Sequence, residues 1–328
     1  MDVLSDVVAV MRTGEPRSAR VEWWAPWGQR FPASPGAGFQ LLLRGSCWLL
    51  PEHGEPLALE AGDLVFLPRG YAHALADQPT SPLADPTCGP PTGSRFERRH
   101  ATPSGDPPLP EDAHPAAVTL CGAYQLDPAR AHPLLDDLPD TLHLSARGGQ
   151  HPEIQAAVEL LGRELENPRP GADTVVPSLL DMLLLFILRA WFDRQPGGAQ
   201  GTGWAAALND PAISAALHAI HRAPAEPWTV ESLAARAGLS RAAFARRFHA
   251  LVGRPPLGYL TWWRMTTAAR LLRDSDATLG AVSEQVGYGS EFALAAAFKR
   301  TYGTAPGQYR RHERSLRQYD PLAPVVGG

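Results

Sequence analysis

The sequence predicts an α+β multidomain protein, with a β-rich N-terminal part, a helical connecting region and an all-α C-terminal part. Three observations predict it. The spacing Gly-x-x-Pro-x-x-Tyr is written twice, at residues 253–259 (GRPPLGY) and 303–309 (GTAPGQY), which marks a duplicated helical unit. Residues 39–75 carry short β-prone runs broken by Gly and Pro, without helical period. The two ends also differ in charge: residues 204–328 hold 15 Lys and Arg against 9 Asp and Glu, and the remainder holds 15 against 25. An acidic part joined to a basic part suits a sensing region followed by a nucleic-acid-binding region.

The first residues, MDVLSDVVAVMRTGEPRSAR, place apolar side chains on one helix face. They lack the basic start and long apolar core of a secretory signal. The longest apolar run, residues 179–192, contains Asp181 and Arg189 and reads as a buried helix rather than a membrane span. Three cysteines, Cys47, Cys88 and Cys121, are too few and too odd for a disulfide framework. A cytoplasmic protein with no membrane partner is expected.

Within the β-rich part, residues 62–73 read GDLVFLPRGYAH, the spacing G-x5-P-x-G-x2-H. This resembles the second motif of the cupins, and the resemblance implies a small jelly-roll β-barrel over residues 1–145. Many cupins hold a metal through clustered His and carboxylate ligands. Here His73 is present, but no His-x-His pair is visible, and Gln40 stands where relatives often carry His. No metal or other cofactor is therefore expected. His73 reads first as a satisfied barrel histidine, with a site shared between His73 and a cysteine as the weaker alternative. The aromatic residues Trp23, Trp24, Trp27, Phe39 and Trp48 are candidates to line an effector pocket, and equally to form core. Cys88 falls in a Pro- and Gly-rich insertion near Arg95, Arg98 and Arg99, where a thiolate would be favoured if they approach it. Cys47, Cys88 and Cys121 are redox candidates, with inert thiols as the plainer reading.

Residues 146–203 read as two helices and a linker. Leu180, Leu183, Leu184, Ile187, Leu188 and Trp191 form a wide apolar stripe, suited to packing on the barrel or to meeting a second copy. Residues 194–204, RQPGGAQGTGW, read as a flexible linker.

Residues 204–314 contain the repeat, followed by a tail over 315–328. Thr229 matches Thr278, Leu233 matches Val282, and Gly238 matches Gly287. After one inserted residue, Ser240 matches Ser290, Phe244 matches Leu294, and Phe248 matches Phe298. Each copy is a short helix, a Gly turn, a Ser cap and a second helix, which is the helix-turn-helix unit. The segment PLGYLTWWRMTTAARLLRDSD between them reads as a rigid spacer helix. Held on one face, two such units read major-groove segments about 34 Å apart. A pair of ordinary helical hairpins is the plainer alternative for a single copy; duplication and basic charge argue against it.

This region, with SLAARAGLSRAAFARRF, RMTTAARLLR and VSEQVGYGSEFALAAAFKR followed by GTAPGQYRR, resembles the DNA-binding domain of AraC/XylS-family bacterial transcription regulators. The segments WWAPWG (23–28), TLCGAYQLD (119–127) and HPLLDDLPDTLHL (132–144) are similar to the members that carry a cupin-type sensor. The resemblance implies a one-component regulator that binds double-stranded operator DNA, with RNA polymerase as a possible partner, a small molecule or oxidant as effector, and a homodimeric state. It also implies that Ala242, Ala245 and Arg246 face the bases. Arg246 is the leading base reader, able to grip a guanine edge, with a phosphate contact as its alternative. Ser240 and Ser290 read as caps, and Arg241 lies off the core face. Ala296 departs from the pattern, because family members often place Arg there. Glu291 can accept from a cytosine amino group and Ala293 can touch a thymine methyl. The first unit is therefore expected to dominate specificity and the second to anchor the backbone. Lys299, Arg300, Arg310 and Arg311 are phosphate candidates, or simply solvated charges. The competing class is a cupin metalloenzyme fused to a DNA-binding module; a purely architectural DNA binder is disfavoured by the large acidic part.

Overall fold

The computed structural model describes residues 2–11, 17–34, 36–84, 98–101, 114–124, 132–145, 151–195 and 203–318. They form two compact units. One comprises Arg12–Pro128 and Leu138–Phe192, the other Met1–Met11, Ala129–Asp137 and Asp193–Gly328. This division crosses the linear boundary expected near residue 145, because a segment before the first strand and another between the last two strands pack with the helical unit.

The first unit is built on nine strands: β1 (Arg17–Trp23), β2 (Gly28–Phe31), β3 (Ala37–Pro51), β4 (Leu57–Glu60), β5 (Leu64–Leu67), β6 (His73–Ala76), β7 (Arg98–Ala101), β8 (Ala117–Tyr124) and β9 (Leu142–Leu144). The long strand β3 is shared by two sheets. Its first part pairs with β5 and β8, and its second part with β4 and β6. The register shifts between Leu42 and Arg44. Gly45 follows with φ of +80°, and a Cβ there would run into the carbonyl of Ala116. Glycine is thus required where β3 passes from one sheet to the other. Inward side chains from both sheets, including Val21, Trp23, Trp27, Leu42, Leu49, Val65 and Leu75, close a common core. The run LVFL of β5 is buried throughout, as its unbroken apolarity predicts.

Two helices complete this unit, α2 (Pro152–Glu166) and α3 (Ala172–Arg194). Helix α2 buries Ile154, Ala157, Leu161 and Leu165 on one face. Helix α3 buries the whole predicted stripe from Leu180 to Trp191. It is long and apolar enough to cross a membrane, yet 56% of its most apolar window is buried within the protein. The Tyr124 hydroxyl donates to the Leu180 carbonyl at 2.7 Å, tying β8 to α3.

The second unit holds α1 (Val3–Met11), a 3-10 turn (Pro133–Asp137) and eight further helices: α4 (Gly203–Asn209), α5 (Pro211–Arg222), α6 (Val230–Arg236), α7 (Arg241–Val252), α8 (Pro256–Asp274), α9 (Leu279–Gln285), α10 (Glu291–Tyr302) and α11 (Pro306–Gln318). Trp204, expected at the end of a flexible linker, instead lies in α4 and is buried, and its backbone N–H donates to Asp137 Oδ2 at 2.6 Å. Residues 196–202 lie outside the described part.

The duplicated Gly-x-x-Pro-x-x-Tyr now has a physical meaning. Gly253 and Gly303 end α7 and α10 in the left-handed conformation, with φ of 76° and 72°. Pro256 and Pro306 open the next helices, where a missing N–H costs nothing. Tyr259 and Tyr309 then pack edge-on against Phe248 and Phe298, at centroid distances of 5.9 and 5.2 Å. Cap, start and lock are repeated at an offset of fifty residues.

The same offset relates two arginines. Arg264 on α8 donates to the carbonyls of Pro224 and Glu226 at 2.7 and 2.8 Å, strapping the helix to the loop before α6. Arg314 on α11 bonds Ser275 and Asp276 in the loop before α9. The repeat therefore reaches past the helix-turn-helix proper.

A buried hydrogen-bond chain fastens α1 and the 3-10 turn to this unit. Leu134 N–H donates to His132 Nδ1 at 3.0 Å, so the His132 proton sits on Nε2. That nitrogen meets the Tyr259 hydroxyl at 3.1 Å, which in turn donates to His221 Nε2 at 2.7 Å. His221 Nδ1–H completes the chain to Asp6 Oδ2 at 3.3 Å. With both imidazoles neutral, every link has one donor and one acceptor. Burial holds both below the ordinary imidazole pKa, with the Asp6 contact opposing it at His221.

Candidate nucleic-acid interface

Each recognition helix begins with a serine cap, as predicted. Ser240 Oγ accepts from the Ala243 N–H at 3.4 Å, and Ser290 Oγ from the Ala293 N–H at 3.2 Å. The core faces are Phe244, Phe248 and Val252 on α7, and Leu294, Ala297 and Phe298 on α10. Their burial fixes which residues look outward. On α7, Arg241, Ala242 and Arg246 are exposed and Ala245 is half-buried.

Adjacent arginines have different fates. Arg247 pairs with Asp210, a buried carboxylate that also caps α5 by accepting from Ala212 N and Ile213 N at 3.0 Å. Arg241 pairs with Glu231 at 2.7 Å, in an exposed bridge. Arg246 makes no ion pair among the described residues, and its guanidinium is available to a ligand.

On the second unit, Glu291, Ala293, Ala296, Lys299 and Arg300 are exposed on α10, and Arg311 is exposed on α11. Arg310 corrects an expectation. Its guanidinium is turned inward to the carbonyls of Leu272 and Ala277, tying α11 to the end of α8. Those donors hold the fold and are not free for phosphate.

In the β-rich unit the sequence candidates scatter between core and rim. Cys47 is buried in the sheet core, and burial, reinforced by Asp63, pushes its thiol pKa up to about 12. Such a thiol stays protonated at neutral pH. Cys121 is half-buried, and its thiol donates to the Ala19 carbonyl at 3.5 Å. Cys88 lies outside the described residues. His73 uses both ring nitrogens: Nδ1–H donates to the Tyr71 carbonyl at 3.0 Å, and Nε2 accepts from the Gln40 amide at 2.9 Å. Both ring nitrogens of His73 are thus engaged within the protein. Among the described residues, no three His, Cys, Asp or Glu side chains converge. Trp23 stacks on Trp27 at 4.3 Å and donates to Thr119 at 2.8 Å, which makes both core residues. Trp24 and Trp48 are half-buried, and Phe39 is buried against Tyr124.

Comparison with known proteins supports the regulator class. A cupin family model matches residues 2–193, and a helix-turn-helix model matches residues 233–312. An AraC-like transcription regulator from Streptomyces lividans is 36% identical over 315 residues, covering 95% of this chain and 99% of the relative. The chain belongs to the AraC-like transcription regulators with an N-terminal cupin domain. The regulator AlkR of Acinetobacter baylyi is a further relative, 29% identical over 95% of this chain and 99% of its own length. Among solved structures, the DNA-binding domain of AdpA in complex with a target DNA is 38% identical, covering 34% of this chain and 98% of that one, with a TM-score of 0.32. As a member of that family, this AraC-like regulator is a DNA-binding protein. Sequence reasoning missed the strap arginines Arg264 and Arg314, although their fifty-residue offset was present in the repeat.

Proposed function

We propose that this AraC-like regulator is a one-component sensor, in which the cupin domain receives a small molecule or an oxidant and shifts the population of DNA-engaged arrangements. The observation that supports it is the buried chain from His132 through Tyr259 and His221 to Asp6. The segment carrying Asp6 precedes β1, and the segment carrying His132 lies between β8 and β9 in sequence, so strain in those strands can act on α5 and α8 through the backbone. In this reading Arg246 contacts bases, Lys299, Arg300 and Arg311 contact phosphates, and RNA polymerase is the partner at the promoter. A homodimer through α2 and α3 accounts for the exposed Leu160, Val175 and Met182 on those helices. The protein works in the cytoplasm.

The test is operator affinity by fluorescence anisotropy, using DNA upstream of its own locus, with reduced protein and protein treated with hypochlorous acid. A change that thiol reverses, and that Cys121→Ala or Cys88→Ala abolishes, assigns an oxidant. Unchanged specific binding in both states removes the oxidant reading and leaves a small ligand in the cupin domain. Binding indifferent to DNA sequence sinks the regulator reading.

A further inference from the structure

Phe292 is 80% exposed, far more than any other large apolar side chain among the described residues; the next, Leu160, is 46% exposed. It sits in the first turn of α10, two residues past the Ser290 cap. Leu294 and Phe298 turn inward, so Phe292, about 200° around the helix from Leu294, turns directly outward. An aromatic ring held in water gains little for folding, and its place on the outward face of a helix-turn-helix unit points to a contact with what that unit binds.

The repeat shows where it stands. At the fifty-residue offset that relates Ser240 to Ser290, Phe292 corresponds to Ala242, and Ala296 to Arg246. The two recognition helices therefore present different chemistry from equivalent positions. Helix α7 offers a free guanidinium. Helix α10 offers an aromatic ring followed, one turn later, by Ala296, which is small enough to let the helix approach closely. Lys299 and Arg300 are exposed further along the same helix, placed for the phosphates that flank a groove.

We propose that Phe292 reads thymine in the major groove by apolar contact with its 5-methyl group. The methyl is the one apolar feature on a base edge there, and it distinguishes thymine from the other three bases. The inference rests on the DNA-binding reading and changes the expected division of labour: the second unit carries sequence information, without hydrogen bonds. Because no counterion is displaced by such a contact, this share of specificity does not depend on salt.

The test uses the full-length protein. Bound duplexes are selected from a random-sequence library, and the consensus duplex is resynthesised with each thymine replaced in turn by deoxyuridine, which removes only the methyl. Wild type is expected to lose about four-fold in affinity at one or two adjacent thymines. Phe292→Ala is expected to bind more weakly, to be indifferent to those replacements, and to keep its dependence on every other position. Its salt slope and thermal midpoint stay at the wild-type values, since the ring is outside the core. Arg246→Ala keeps the methyl dependence. The proposal is overturned if deoxyuridine is tolerated at every position, if the penalties persist in Phe292→Ala, or if that variant binds as wild type does. If wild type enriches no consensus, the DNA-binding reading fails, and this one with it.

Discussion

Arg246 and Arg247 are neighbours in sequence, yet among the described residues only Arg247 has an ion-pair partner. The difference comes from helix geometry: one step of about 100° turns Arg247 toward Asp210 and leaves Arg246 facing solvent. Arg246→Ala should therefore relax specificity at one base position and cost about 1–3 kcal/mol in operator affinity, read by anisotropy on the consensus duplex and single-base variants. Equal loss on specific and scrambled DNA would make it a phosphate contact instead. Tyr259 makes the opposite point, since its hydroxyl is fully engaged inside the protein. Tyr259→Phe leaves the His132 N–H without its acceptor and His221 Nε2 without its donor. It should cost about 1–3 kcal/mol in stability, measured by urea unfolding. Packing of the ring against Phe248 is retained in that variant, so a loss isolates the hydrogen bonds.

At the scale of elements, the two helix-turn-helix units are built alike and decorated differently. Their caps, helix starts and tyrosine locks coincide at one offset, and their strap arginines do too. Ser290→Ala removes the side-chain acceptor for the Ala293 N–H and should destabilise α10 by about 1 kcal/mol, seen as a lower thermal midpoint. A wild-type midpoint would mean that water replaces the cap without penalty. The caps, the Gly turns and the Pro starts were legible in the sequence because each is a signal within four residues. The cupin motif at residues 62–73 was legible through its resemblance to a known family. Helix α1 was legible as a helix, but not its partner, because amphipathic spacing names a buried face and not what covers it.

For the whole molecule, the buried histidines give stability a sign with pH. Burial lowers the folded-state pKa of His132 and His221 below the ordinary imidazole value of about 6.5. Below that value the unfolded chain binds protons that the folded helical unit refuses, so unfolding becomes easier as pH falls. Their contribution is complete above about pH 6.5 and is lost progressively as pH falls toward their folded pKa values. The urea midpoint of the helical unit should drop between about pH 7.5 and pH 5.5, and the drop should be smaller in His132→Gln. A slope unchanged by that substitution would place the pH sensitivity elsewhere.

Resemblance to known families implied the cupin-type sensor and the regulator class; the sequence by itself determined a β-rich part, a duplicated helix-turn-helix domain, and the helices between them. It did so because periodicity, caps and turn chemistry are local, and because duplication shows the same local signals twice. Tertiary structure alone decided the fate of side chains whose partners are distant in the chain. It turned Arg310 inward to Leu272 and Ala277, gave the His73 ring to Gln40, and left Phe292 in water. It also assigned α1 and residues 132–137 to the helical unit. A charge or a ring has the same local signature whether it is paired, buried or exposed; its role depends on what the fold brings within about 4 Å of it.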